Sequence, residues 1–138
     1  MRELKGHGVA LITPFKRNGA IDFDAIPGII KHLINGGVDY LVVLGTTAES
    51  TSLSDDEKKQ LITAIVNHNA GILPLVIGIG GNNTPKVIEE IITIDLSPFS
   101  AVLSVTPYYN KPNQEGLYQH YKAINDPVSY TQLTLPTT

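Results

Sequence analysis

Tyr40-Leu41-Val42-Val43-Leu44-Gly45-Thr46-Thr47-Ala48-Glu49-Ser50 reads as a buried strand that stops at a glycine and at once presents two neighbouring hydroxyls. An aliphatic, β-branched run with no polar face fits a strand covered on both sides, as in a parallel sheet. In α/β folds the groups that touch ligands gather at the carboxyl ends of the strands. Thr46 and Thr47 therefore stand where a small polar substrate would be held.

The same rhythm repeats on either side of this stretch. Upstream, Val9 to Ile12 is a short apolar run ended by Thr13-Pro14 and the turn-like Arg17-Asn18-Gly19, which predicts the first strand. A helix follows, with Asp22 as its cap and Ile26, Ile29, Ile30, Leu33 and Ile34 at helical spacing; Pro27 draws its true start toward Ile26. Downstream, Ser54-Asp55-Asp56-Glu57 is a capping-box pattern opening a helix that carries Leu61, Ile62, Ile65 and Val66 and closes at Asn69-Ala70-Gly71. Leu73 to Ile79 predicts strand three. After Gly80-Gly81-Asn82-Asn83, Thr84 is the expected cap and Pro85 the first helical residue of helix three. Ala101 to Val105 predicts strand four, and an amphipathic stretch from Leu117 to Ile124 predicts helix four. Strand and helix thus alternate as βα units of a parallel sheet. Such units can close a small doubly wound sheet or form half of an eight-stranded βα barrel.

Composition narrows the partners. A chain of 138 residues with a net charge of −3 and a pI near 5.7 shows no basic patch, so no nucleic-acid partner is expected. There are no cysteines, which removes disulfide and thiolate chemistry. The first residues, Met1 to Lys5, lack the apolar core of a signal peptide, and no apolar run is long enough to span a bilayer. These features read as a soluble, cytoplasmic protein without a membrane partner.

If the strands are parallel, Pro14-Phe15, Thr46-Thr47, Gly80 to Asn83 and Pro107 to Asn110 surround one mouth. Threonine hydroxyls and backbone amides can hold a carboxylate there, and Tyr108-Tyr109 can relay a proton. The glycine-rich turn after strand three lacks the Gly-Lys-Ser/Thr ending of a phosphate loop, and its expected role is a tight turn permitting close backbone approach. His7, His32, His68 and His120 show no metal-ligand spacing; each is read as a surface or boundary residue, and no metal or cofactor is expected. Lys16 and Lys111 lie near the predicted mouth but in polar loops, whereas a Schiff-base lysine needs burial or a cationic neighbour.

Gly8-Val9-Ala10-Leu11-Ile12-Thr13-Pro14-Phe15, Gly45-Thr46-Thr47-Ala48-Glu49-Ser50, Gly78-Ile79-Gly80-Gly81-Asn82-Asn83-Thr84, and Val105-Thr106-Pro107-Tyr108-Tyr109-Asn110-Lys111-Pro112 with Gln114 to Tyr118 occur in that order. Together they closely resemble the dihydrodipicolinate synthase family over about Met1 to Asn125. The resemblance implies the N-terminal half of a (β/α)8 TIM barrel, about four βα units. It also implies a class I aldolase that holds pyruvate as a lysine Schiff base and condenses it with aspartate semialdehyde on the diaminopimelate route to lysine. Carried over by motif, Thr47 binds the pyruvate carboxylate, while Thr46 and Tyr109 belong to the proton relay. In that family the second tyrosine crosses a dimer interface, so a homo-oligomer is implied. Ser50, Asn82 and Tyr108 match positions lining a lysine-effector site in some members; Lys86 stands where those members carry an acidic residue. Sialic-acid lyase and related keto-acid aldolases share the barrel, but Thr46-Thr47 followed by Tyr108-Tyr109-Asn110 favours the synthase. A non-catalytic, self-associating half-barrel is the alternative from another class.

The end of the chain departs from the family. There a fifth strand ends Tyr-Asn-Val-Pro and a sixth carries the Schiff-base lysine; here the sequence runs from Asp126-Pro127-Val128-Ser129-Tyr130 to Thr138. The expectation is a partial TIM-barrel domain over 1–125 and a non-family tail over 126–138, artefactual or disordered. On that expectation the chain is a truncated gene product, incomplete and inactive alone.

Overall fold

A computed structural model of the protein describes residues 4–128 and 132–134. In chain order the elements are β1 (Gly8–Ala10), α1 (Ile26–Asn35), β2 (Tyr40–Val43), α2 (Asp55–Asn69), β3 (Leu75–Gly78), α3 (Thr84–Thr93), β4 (Ala101–Leu103), α4 (Gln114–Asn125) and β5 (Gln132–Thr134). They fall into two compact units, Met1–Leu75 and Val76–Thr138. Of the stretch assigned above to a non-family tail, 129–131 and 135–138 lie outside the described residues, as do residues 1–3 of the N-terminus.

In the first unit β1 and β2 pair in parallel, with Gly8 opposite Tyr40, Val9 opposite Leu41 and Ala10 opposite Val42. One pair in this register is a close steric fit. The Tyr40 ring lies over Gly8 so closely that a Cβ on Gly8 would overlap it. Leu41 and Val43 are fully buried, whereas Tyr40 and Val42 are half-buried, so β2 alternates rather than being covered on both sides throughout. Ile26 and Ile30 of α1 and Leu61 and Ile65 of α2 are buried, and the two helices pack on each other. Burial of each such aliphatic side chain contributes roughly 1.5–3 kcal/mol against solvent.

Helix starts show what is local and what is not. The Ser54 hydroxyl accepts from the Glu57 N–H at 3.3 Å while the Glu57 carboxylate accepts from the Ser54 N–H at 2.8 Å, the capping box read from sequence. The Ser54 N–H and, also at 2.8 Å, the Ser54 hydroxyl donate to the Glu57 carboxylate and hold it below its usual range. Asp22, by contrast, does not cap α1. It precedes a 3-10 turn, Phe23–Ala25, makes no side-chain cap bond, and α1 begins at Ile26 with Pro27 in its first turn. Proline's fixed φ and missing N–H suit that place, where the amide has no intrahelical acceptor.

In the second unit β3 pairs in parallel with β4, Ile77 opposite Val102, and β4 with β5, Val102 opposite Leu133. Ile77, Ala101, Val102 and Ile124 have no exposed surface, and Val87 and Ile91 of α3 are buried as well. The cap of α3 is Asn83 and not Thr84: its side-chain oxygen accepts from the Lys86 N–H at 3.2 Å. The observed strands are shorter than the apolar runs suggest, β1 ending at Ala10 and β4 at Leu103, because pairing stops before hydrophobicity does.

α2 ends at a residue that the composition of the turn does not single out. Asn69 is buried; its Nδ2 donates to the Leu73 carbonyl at 2.8 Å and its Oδ1 accepts from the Leu73 N–H at 3.2 Å, while Ala70 and Gly71 turn the chain in left-handed conformation. Asn69→Ala would strand both backbone groups of Leu73. We expect it to lower unfolding stability by about 2 kcal/mol, read as a fall in urea midpoint at constant m-value. An unchanged midpoint would show that the clamp carries no net stability.

Candidate functional site

In the first unit the end of β2 is built from backbone strain. Leu44 is buried yet left-handed, with φ 55°, and Glu49 is left-handed at φ 53°; between them Thr46–Ala48 forms a 3-10 turn. A left-handed non-glycine residue costs roughly 1–3 kcal/mol and persists only where its surroundings fix it. The first internal bond of the turn is Ala48 N–H to the Gly45 carbonyl at 3.0 Å, so the amides of Thr46 and Thr47 precede it. Both threonines are exposed and Ser50, on the following 3-10 turn, is half-buried. Hydroxyls and amides of this kind suit a carboxylate.

Thr13 holds the turn in place. Its buried hydroxyl donates to the Ala48 carbonyl at 2.7 Å, tying the end of β1 to the end of β2. The sequence reading treats Thr13 only as the point where the first strand stops. A polar residue directly after an apolar strand and before a proline was the available signal.

In the second unit the expected loops do meet. Asn110 Nδ2 donates to the Asn82 carbonyl at 3.1 Å, and Asn82 Nδ2 reaches Asn110 Oδ1 at 3.5 Å. The Asn110 N–H also donates to the Tyr108 carbonyl at 2.8 Å, closing a three-residue turn around Tyr109, whose φ is 68°. Tyr109 is 92% exposed and Tyr108 48% exposed. Gly80 permits the close approach expected of it: a Cβ there would lie 2.8 Å from the Val105 backbone nitrogen.

Lys16 is exposed and lies 4.0 Å from the Asp22 carboxylate and 3.8 Å from that of Asp24; Lys111 is exposed and left-handed at φ 45°. Neither sits in the desolvated setting a Schiff-base lysine requires. His120 corrects the reading of the histidines as surface or boundary groups. It is 5% exposed on α4, its Nδ1 is 2.8 Å from the Thr84 hydroxyl, and its ring meets the Tyr121 ring edge-on at 5.2 Å. Burial pushes the His120 imidazole down from the usual 6.5 and the Tyr121 phenol up from 10.0. Among the described residues no group of three or more His, Cys, Asp or Glu is placed to hold a metal ion, and no helix is long and apolar enough to cross a membrane.

The dihydrodipicolinate synthetase family profile matches residues 3–134. The chain belongs to that family. Over 124 residues it is 61% identical to 4-hydroxy-tetrahydrodipicolinate synthase of Flavobacterium psychrophilum, a match covering 90% of this chain and 42% of the relative. Among solved structures, a dihydrodipicolinate synthase from Bacillus anthracis is 38% identical with a TM-score of 0.90, covering 98% of this chain and 46% of that one. The chloride-inhibited dihydrodipicolinate synthase from Acinetobacter baumannii, complexed with pyruvate, is 40% identical with a TM-score of 0.90 and covers 96% and 45% respectively. The α/β fold is therefore that of about half of the family's TIM barrel, its N-terminal part, and the chain spans less than half the length of these relatives.

Two outcomes follow from this geometry. Thr13→Val should cost about 2 kcal/mol by leaving the Ala48 carbonyl unpaired, and should move the Thr46 and Thr47 amide resonances; a variant that shifts neither would remove Thr13 from the site. For His120 the folded state favours the neutral ring. The unfolded chain takes up the proton first as pH falls, so this stability is complete above 6.5 and is lost as pH drops through the lowered value. Urea midpoints on either side of pH 6.5 should therefore differ less in His120→Gln than in the parent.

Proposed function

We propose that this chain supplies the pyruvate-binding end of a class I aldolase, a lyase condensing pyruvate with aspartate semialdehyde on the diaminopimelate route to lysine. The observation that carries the reading is the Thr46–Ala48 turn, held by a left-handed Leu44 and the Thr13 bond, within a chain of this family. Thr47, with the turn amides, holds the substrate carboxylate. Thr46 and Tyr109 move protons as the lysine amine adds to the pyruvate carbonyl and water leaves. By family resemblance that lysine lies on the sixth strand. The 92% exposure of Tyr109 supports its insertion into the site of a second subunit, and hence a homo-oligomer. Ser50, Asn82 and Tyr108 are the residues we assign to a lysine-effector site. Exposed Lys86, on the first turn of α3, sets an ammonium where an acid would meet the effector's own ammonium, which weighs against feedback by lysine.

A chimera tests this reading. Residues 1–125 replace the aligned part of the Flavobacterium psychrophilum synthase, and pyruvate with borohydride then traps any imine as a mass increase on one lysine. The chimera should form the adduct and turn over. Thr46→Val or Tyr109→Phe should lower kcat about 100-fold or more, whereas Thr47→Val should chiefly raise KM for pyruvate. Trapping on Lys16 or Lys111 would overturn the assignment of the Schiff base to a sixth-strand lysine.

A further inference from the structure

Tyr109 raises a physical question that its own side chain does not answer. A ring that is 92% exposed has little around it to fix it, yet its backbone holds φ 68°, where an aromatic residue is disfavoured. Such a conformation must be imposed by neighbours. Its immediate neighbour Asn110 is fastened to Asn82 by both side-chain amides, at 3.1 Å and 3.5 Å. Asn82 is a loop residue, so something must hold it in turn.

It is held from both sides. Upstream, Gly80 is pressed against the end of β4, where any side chain would meet the Val105 nitrogen at 2.8 Å and the Ser104 hydroxyl at 3.2 Å. Downstream, Asn83 caps α3, and the next residue, Thr84, places its hydroxyl 2.8 Å from His120 Nδ1. His120 belongs to α4, and α4 begins at Gln114, a few residues after the Tyr109 turn. The connections thus form a closed ring: from Tyr109 along the chain into α4, from His120 across to Thr84, back through Asn83 to Asn82, and from Asn82 across to Asn110. Within that ring the imidazole is a costly choice. It is 5% exposed and its Nε2 has no hydrogen-bond partner among the described residues, so an apolar side chain would fill the position without a stranded nitrogen. The bond to Thr84 is what the imidazole adds.

We propose that the buried His120–Thr84 pair is a positioning device for Tyr109, anchoring the Asn82 end of the amide clasp that holds the left-handed turn. His120 and Thr84 are positioning residues and touch no substrate. That the positioned ring serves in a proton relay rests on the function proposed above; the positioning itself does not, and it is measured on the chain without substrate.

Nuclear magnetic resonance of the chain reads both ends of the ring. In the parent, Tyr109 should show the strong intraresidue amide–Hα NOE of a positive φ, and the Asn110 amide should be protected from exchange. Thr84→Val, nearly isosteric but without the hydroxyl, should weaken that NOE and speed Asn110 exchange about fivefold, while the amides of Val76 and Val102 keep their protection. Thr84→Ser should restore both signals. If Thr84→Val leaves Tyr109 and Asn110 unchanged, the pair is packing and the proposal fails. Asn110→Ala, at an exposed position, reads the ring from the other end and serves if Thr84→Val unfolds the unit. It should move the Thr84 and His120 resonances, and unmoved resonances overturn the proposal.

Discussion

Leu44 is held left-handed with its side chain buried, and the geometry of the turn that follows depends on that combination. A strand that ran straight on would carry the threonines away along the sheet direction. Instead the chain departs from the strand at left-handed Leu44, and the 3-10 turn over Thr46–Ala48 follows Gly45. Burial of Leu44 and of Ala48, together with the Thr13 bond, offsets a conformation that an isolated peptide would avoid. The hydroxyls are therefore placed by packing behind them rather than by contacts of their own.

The second unit meets the same requirement with different chemistry. There the strained residue, Tyr109, is exposed and apolar packing cannot restrain it, so side-chain amides take over through Asn82 and Asn110. In both places glycine is absent from the left-handed position itself. A glycine would adopt the angle without cost but would bring no side chain to bury at Leu44 and no phenol to present at Tyr109.

What the sequence discloses follows from how far each interaction reaches. The Ser54–Glu57 box spans three residues and was readable in full, whereas the strands around Leu41, Ile77 and Val102 were readable in place and order but not in length, nor in the half-burial of Tyr40 and Val42. Caps were legible only to within a residue or a turn: Asn83 and Thr84 are both good N-cap types, and Asp22 was passed over for a 3-10 turn that no short pattern announces. Thr13, Asn69 and His120 were not legible as tethers. The partners of Thr13 and His120 are 35 and 36 residues away, and the partner of Asn69 is a backbone group with no sequence signature. That Thr46 and Thr47 share one turn after the second strand was legible because the turn is contiguous in sequence, as are the family motifs around it.

The contact between Gly8 and Tyr40 bears on how such a chain can drift. Because the aromatic ring occupies the space of the missing side chain across the β1–β2 pair, the two positions are not independently mutable. A residue larger than glycine would force the ring to swing aside, and loss of the ring first would leave Gly8 uncovered. Each single step passes through a worse-packed intermediate, so the two positions should change together across lineages or not at all. The fit of a ring over a glycine thus ties the tolerance of one strand to the side chain carried by its neighbour.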